Sequence, residues 1–154
     1  MEALAFRFLE PGRLVDDELM LNLVEKAPSR PGGVFVSTYV FEMRHVHTLG
    51  KIGTLSLRAE SNEYIVKYLG HIGYRVEEAH RGRRYAARSC RLILPLARAH
   101  GLNPLWITCN PDNWASRGTG DLAGAQFVEI VPVPEDHELY LQGDRQKCRY
   151  RIDL

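Results

Sequence analysis

The spacing of apolar positions changes along the chain and predicts the order of elements. Leu4 to Leu9 reads as a short strand closed by Pro11-Gly12. Asp16 to Lys26 carries Leu19 and Leu23 at helical spacing, with acids in the first turn where the helix dipole favours them, and predicts a helix. Pro28, Pro31, Gly32 and Gly33 break the chain. Three runs rich in β-branched and aromatic residues follow, Val34 to Val46, Lys51 to Ala59 and Gly70 to Glu78, and predict strands. From Gly82 to His100 the period becomes helical: Ala86, Cys90, Ile93 and Ala97 share one face, and Gly101 supplies the stop. Leu105 to Cys109 has the continuous apolar character of a buried strand. Asn113 can cap a second helix ending at Gly124, and Phe127 to Val133 and Lys147 to Asp153 predict two closing strands. The predicted order is β-α-β-β-β-α-β-α-β-β, an α/β (α+β) arrangement in one domain over residues 1–154.

Composition narrows the class. The 154 residues are 45% hydrophobic and 25% charged, the profile of a soluble globular domain. A chain of this length buries roughly 70% of its unfolded surface, enough for a core without staples. The formal net charge of +1 argues against bulk attraction to nucleic acid or an anionic membrane. Three cysteines, Cys90, Cys109 and Cys148, form neither a disulfide framework nor a zinc-knuckle spacing. No apolar stretch approaches the ~20 residues of a membrane span. No secretory leader is visible either, so a cytoplasmic protein is expected.

The most informative segment is His80-Arg81-Gly82-Arg83-Arg84-Tyr85-Ala86, between the strand from Gly70 and the helix from Gly82. Six arginines and no acid lie between His80 and His100. A loop that opens a helix exposes free N–H groups and the positive dipole end, which suits an anion with several charges, such as a pyrophosphate. Here the chain resembles the GCN5-related N-acetyltransferase (GNAT) superfamily, whose acyl-coenzyme A loop reads Q/R-x-x-G-x-G/A before a helix. Arg81, Tyr85 and Ala86 fit that frame, and Gly82 fits a common Arg-Gly start. Arg84 takes the place of the middle glycine; it still offers its N–H and adds a cation, provided φ stays negative. A second match is Asn110-Pro111-Asp112-Asn113-Trp114-Ala115-Ser116-Arg117, followed by Gly124 and Phe127, which resembles the N-x-x-S … G-F segment with two residues inserted between glycine and phenylalanine.

The resemblance implies a mixed, mostly antiparallel sheet with one parallel βαβ step and helices on both faces. It implies acetyl-coenzyme A as cosubstrate and no metal. The expected coenzyme-binding residues are Val76, Glu78, Arg81, Gly82, Arg83, Arg84, Tyr85, Ala86, Asn113 and Ser116, with the pantetheine arm pairing around Val76 to Glu78. An amine attacks the thioester directly, so the site must supply an uncharged amine and an exit for thiolate. An alkyl ammonium of pKa ~10.4 needs help to deprotonate, whereas a thiol of pKa ~8.5 leaves readily. Many members carry a tyrosine acid at the position of Gly120; Ser116 is the substitute expected here. For the base, Tyr74, His71 and Glu78 on one strand and Glu42 on another all remain open, with Tyr74 working through water. The partner is an amine acceptor, small molecule or protein. Neither membrane nor nucleic acid is expected as a partner, and a homodimer is compatible. The acceptor pocket is expected between the early helix, the strand near Glu42 and the loop near Tyr140.

Two other functional classes compete. Arg81, Arg83, Arg84, Arg88 and Arg91, with Tyr85 among them, could track a nucleic-acid backbone and stack a base. Without the usual tyrosine, the chain could also hold acyl-coenzyme A as a sensor without turnover. His45 and His47 share a strand face but lack a third metal ligand. Cys109 and Cys148 read as strand residues. Glu135-Asp136-His137-Glu138 reads as a solvated turn, or as a recognition element for a cationic acceptor.

Overall fold

Strand pairing organises the first third of the chain in this computed structural model, which describes residues 6–31 and 35–154. Leu14–Asp16 (β1) and Leu19–Ala27 (β2) form a hairpin turned at Asp17, whose φ is 53°. The helix expected over Asp16–Lys26 is therefore not formed. Leu19, Leu21 and Leu23 also fit a period of two, and that period sends Leu19 and Leu21 into the core. The acids that suited a helix start instead tie the hairpin down: Asp16 and Glu18 both pair with Arg88. Residues 6–9 of the strand expected from Leu4 have no strand pairing either. Phe6 stacks on His100 at 4.8 Å, and the Leu9 N–H donates to the Tyr39 hydroxyl at 2.7 Å. Residues 4 and 5 of that expected strand, Gly32 and Gly33 of the expected break and Val34 of the next strand lie outside the described residues.

Thr38–His45 (β3), Lys51–Arg58 (β4) and Ile72–Val76 (β5) complete a five-stranded sheet in the order β1-β2-β3-β4-β5, antiparallel throughout. One register row crosses it through Leu23, Phe41, Leu55 and Tyr74. Its central residues, Phe41 and Leu55, share a core with Cys90, Ile93 and Ala97 of the helix Tyr85–Ala99 (α1). Leu105–Cys109 (β6), Gln126–Pro132 (β7) and Gln146–Ile152 (β8) form a second antiparallel sheet in the order β6-β8-β7. The helix Trp114–Leu122 (α2) packs on β6 and β7, and Glu138–Leu141 (α3) leads into β8. Both long helices stop as expected. At Gly101 the N–H groups of Leu102 and Gly101 bond back to Ala97 and Arg98, and at Gly124 those of Ala125 and Gly124 bond back to Gly120 and Asp121.

The two sheets meet where the parallel step was expected, but no parallel ladder forms among the described residues. A single bridge of antiparallel type joins Gly70 to Ile107. Gly70 has φ 75°, and a Cβ there would lie 2.9 Å from the Trp106 carbonyl oxygen, so only glycine permits this approach. His71 completes the clamp. Its N–H donates to the Trp106 carbonyl at 2.7 Å, and the Trp106 N–H donates to its Nδ1 at 2.9 Å. The imidazole thus stands in for a strand carbonyl, and its protonated Nε2 donates to Ser61 Oγ at 2.9 Å. Past this clamp no ladder bond links β5 to β6. The result is a mixed α/β fold of antiparallel sheets and helices, with the site at the seam.

Candidate functional site

A cleft of about 610 Å³ opens between β5, the start of α1 and α2. The chain leaves β5 through a short 3₁₀ turn, Glu78–His80, and enters α1 at Tyr85. No side chain caps this helix, and the first intrahelical bond runs from the Arg88 N–H to the Arg84 carbonyl. The N–H groups of Tyr85, Ala86 and Ala87 therefore precede the ladder, and Tyr85 and Ala86 line the cleft. Arg84 corrects one expectation: its φ is +61°, the left-handed conformation that the family's glycine provides for nothing. The chain keeps the loop geometry and carries the steric cost in exchange for an exposed cation. Arg84→Gly should raise stability by about 0.5–1 kcal/mol, the left-handed penalty less the backbone entropy of glycine. Thermal unfolding checks that gain, while affinity for acetyl-coenzyme A should fall at low salt and converge with wild type as salt screens the lost charge.

Across the cleft, the Tyr74 hydroxyl donates to Ser116 Oγ at 3.2 Å and approaches the Ser116 carbonyl at 3.4 Å. Ser116 is the third residue of α2, and its N–H is held by Asn113 Oδ1 at 3.1 Å, the predicted cap. Since Asn113 does the capping, the serine hydroxyl is not needed to secure the helix. Burial pushes the Tyr74 phenol up to about 12, against a smaller opposing pull from its bond to Ser116. A phenol with that pKa stays protonated at neutral pH, so Tyr74 is placed as a donor and not as the base.

The structure brings eight of the expected coenzyme residues to the cleft: Val76, Arg81, Gly82, Arg84, Tyr85, Ala86, Asn113 and Ser116. Glu78 and Arg83 are exposed outside its lining. The Val76 carbonyl already accepts from Arg81 Nε at 3.1 Å, so an arm pairing with it must displace that contact. Glu42 is absent from the lining too: its side chain sits in the register row of Asn22 and Thr54, one residue off the row of Tyr74, and pairs with Arg44. Both ring nitrogens of His71 are engaged, and burial lowers its pKa to about 4, so it serves as a clamp and not as a base. Three of the six arginines are tied to the fold: Arg81 binds the Val76 carbonyl, Arg88 binds Asp16 and Glu18, and Arg91 binds the Leu122 carbonyl.

Gly120, where many relatives carry tyrosine, is covered by the ring of Tyr150: a Cβ there would lie 3.2 Å from it. Sequence reasoning missed Trp114, Thr119 and Leu122, which also line the cleft; Thr119 and Leu122 follow Ser116 at helical intervals of three, and that spacing was the available signal. His45 ends β3 and His47 lies in the turn beyond, whose N–H bonds to His45 Nδ1, so the two do not share a strand face. Within the 135–138 segment, His137 caps α3 and stacks on Tyr64 at 4.4 Å, more packed than a solvated turn. Among the described residues, no three His, Cys, Asp or Glu side chains are grouped to hold a metal ion, and no helix is long and apolar enough to cross a membrane.

An acetyltransferase (GNAT) domain model matches residues 16–125, which include the α1 loop, the Tyr74–Ser116 pair and all of α2. The chain belongs to the GNAT acetyltransferase family. Solved structures agree in fold. A ribosomal-protein-S5-alanine acetyltransferase from Vibrio fischeri superposes with a TM-score of 0.67 at 13% identity, over 92% of this chain and 96% of that one. A ribosomal L7/L12 alpha-N-protein acetyltransferase in complex with coenzyme A gives 0.65 at 15% identity, over 92% and 98%. The microcin C7 self-immunity acetyltransferase, in complex with acetyl-coenzyme A and AMP, gives 0.58 at 14% identity, over 76% and 61%. No curated protein sequence matches the chain. This GNAT protein has an uncapped helix-entrance loop and a serine in the first turn of α2, while Gly120 and the β1–β2 hairpin depart from the expected pattern.

Proposed function

We propose that this GNAT domain, taken over residues 1–154, transfers an acetyl group from acetyl-coenzyme A to a primary amine by direct attack on the thioester. The observation that carries this reading is one cleft that joins an uncapped helix N-terminus to a paired tyrosine and serine hydroxyl. The helix amides and the Arg84 cation suit the pyrophosphate, as free N–H groups and a positive dipole end suit any anion. The thioester end then falls toward Ser116. As the C–S bond breaks, the Ser116 hydroxyl donates a hydrogen bond to the departing thiolate, which takes its proton from water, while Tyr74 donates to the serine oxygen and strengthens that donor. Among the described residues no carboxylate lines the cleft, and the amine proton passes to water, directly or by way of His80, which does line it. A hairpin replaces the helix that would wall in a small molecule, which suits an amine on a peptide or protein, and two of the structural relatives named above are ribosomal-protein acetyltransferases.

Ser116→Ala should lower kcat by roughly tenfold to a hundredfold with coenzyme affinity nearly unchanged, because the interaction develops only as the bond breaks. Tyr74→Phe should move kcat in the same direction by less, since Tyr74 acts through Ser116. Steady-state kinetics with N-terminal peptides and free amines, beside melting curves, test both. Unaltered kcat in Ser116→Ala would remove the serine from the mechanism. Tight acetyl-coenzyme A binding with no transfer to any amine would replace the enzyme reading by the sensor reading.

A further inference from the structure

Trp114 is the most unusual side chain in the cleft. It is the first residue of α2, it lines the cleft, and it is 71% exposed, whereas tryptophan is normally largely buried. The ring is nevertheless held. The Arg117 guanidinium lies 4.6 Å from its centroid, and Arg117 is itself fixed by bonds to the Tyr150 hydroxyl and the Pro111 carbonyl, both at 3.2 Å. A cation pinned from below fixes the indole at the cleft mouth and leaves most of its surface to solvent. This is the form of a stacking platform: a flat, rigid aromatic surface that any planar base can cover.

Building on the acetyl-coenzyme A reading, we propose that Trp114 stacks on the adenine of the coenzyme and so selects for the nucleotide end of the acyl donor. The cleft supplies the logic. Its α1 end is suited to the pyrophosphate and its Tyr74–Ser116 side to the thioester, and the exposed start of α2 offers the adenosine an aromatic face. Trp114 is the one large aromatic surface that the described lining offers there, since Tyr85 is buried and bonds to Glu18.

Calorimetric titration of wild type, Trp114→Ala and Trp114→Phe with coenzyme A and with 4′-phosphopantetheine, which lacks the adenosine, tests the assignment. Trp114→Ala should weaken coenzyme A roughly tenfold, the loss of one aromatic–base stack, while leaving phosphopantetheine unchanged. Trp114→Phe should recover part of that loss. Coenzyme A should quench the fluorescence of wild type more than phosphopantetheine does, because Trp114 is exposed while Trp106 is 9% exposed. Equal affinity of wild type and Trp114→Ala for coenzyme A, or the same loss for both ligands, would overturn this assignment and leave the acyl-transfer reading standing. A rise in the KM for peptide amine with coenzyme A affinity unchanged would overturn it in favour of acceptor docking. Failure of wild type to bind coenzyme A at all would overturn both.

Discussion

Ala86→Asp is expected to weaken acetyl-coenzyme A binding by at least a hundredfold in titration calorimetry while the protein remains folded. Ala86 is the second residue of α1 and lines the cleft beside the free amides. A carboxylate there stands about 4 Å from a bound phosphate, and two charges at that distance repel by about 4 kcal/mol at an effective dielectric of 20. Each 1.4 kcal/mol is a factor of ten, so the repulsion alone exceeds a hundredfold. The effect on folding has the opposite sign. An acid in the first turn of a helix interacts favourably with its dipole, by about 0.3–1 kcal/mol, which offsets part of the cost of crowding a position that is 9% exposed. Ala86→Asn separates charge from size: it has nearly the same volume and should lose far less affinity. Equal affinity of wild type and Ala86→Asp would move the pyrophosphate away from this helix.

His71→Ala is expected to lower unfolding stability by about 3 kcal/mol in denaturant titration. It would leave the buried Trp106 N–H without an acceptor, at a cost of about 1–3 kcal/mol, and a cavity where the ring was fully buried. His71→Asn should cost less, because its Oδ1 can take the place of Nδ1. Both variants should also flatten the acid limb of the stability curve. Burial, helped by the nearby Arg58 charge, holds the folded pKa of His71 at about 4, below the ordinary histidine value of 6.5. The unfolded chain therefore binds a proton first as pH falls. Stability is unaffected by this group above pH 6.5, declines between 6.5 and about 4, and has lost on the order of 3 kcal/mol below that window. Glu18, held below the usual carboxylate range by its bond to Arg88, adds to the same decline, as does the half-buried His100. The His71 share is the difference between wild type and His71→Asn. Identical acid limbs would mean that His71 does not stay neutral in the fold.

The second half of the chain could be read from its residues because its elements carry their own punctuation. Asn113 caps α2 and the glycines at 101 and 124 end the two helices through local bonds, which a neighbour far along the chain cannot easily override. The Asp16–Lys26 segment lacks such marks. Leu19 and Leu23 satisfy a helical interval and, with Leu21, a strand interval; pairing with β3 and the grip of Arg88 on the turn decide between them, and neither is visible locally. The helix-entrance loop was legible because its amides come from consecutive residues. The catalytic candidates were not, because Tyr74 and Ser116 meet across 42 positions, while Glu42, one residue out of register with the Tyr74 row, points elsewhere.

The ring of Tyr150 over Gly120 couples those two positions through packing. A side chain at 120 would need the Tyr150 ring to give by a few tenths of an ångström, and shrinking Tyr150 would empty a buried site and free the Arg117 that it holds. Changes at the two positions are therefore expected to be non-additive, each depending on the side chain present at the other. The side chain at 120 and the hold on Arg117, and through Arg117 the Trp114 ring, are thus set by one packing choice.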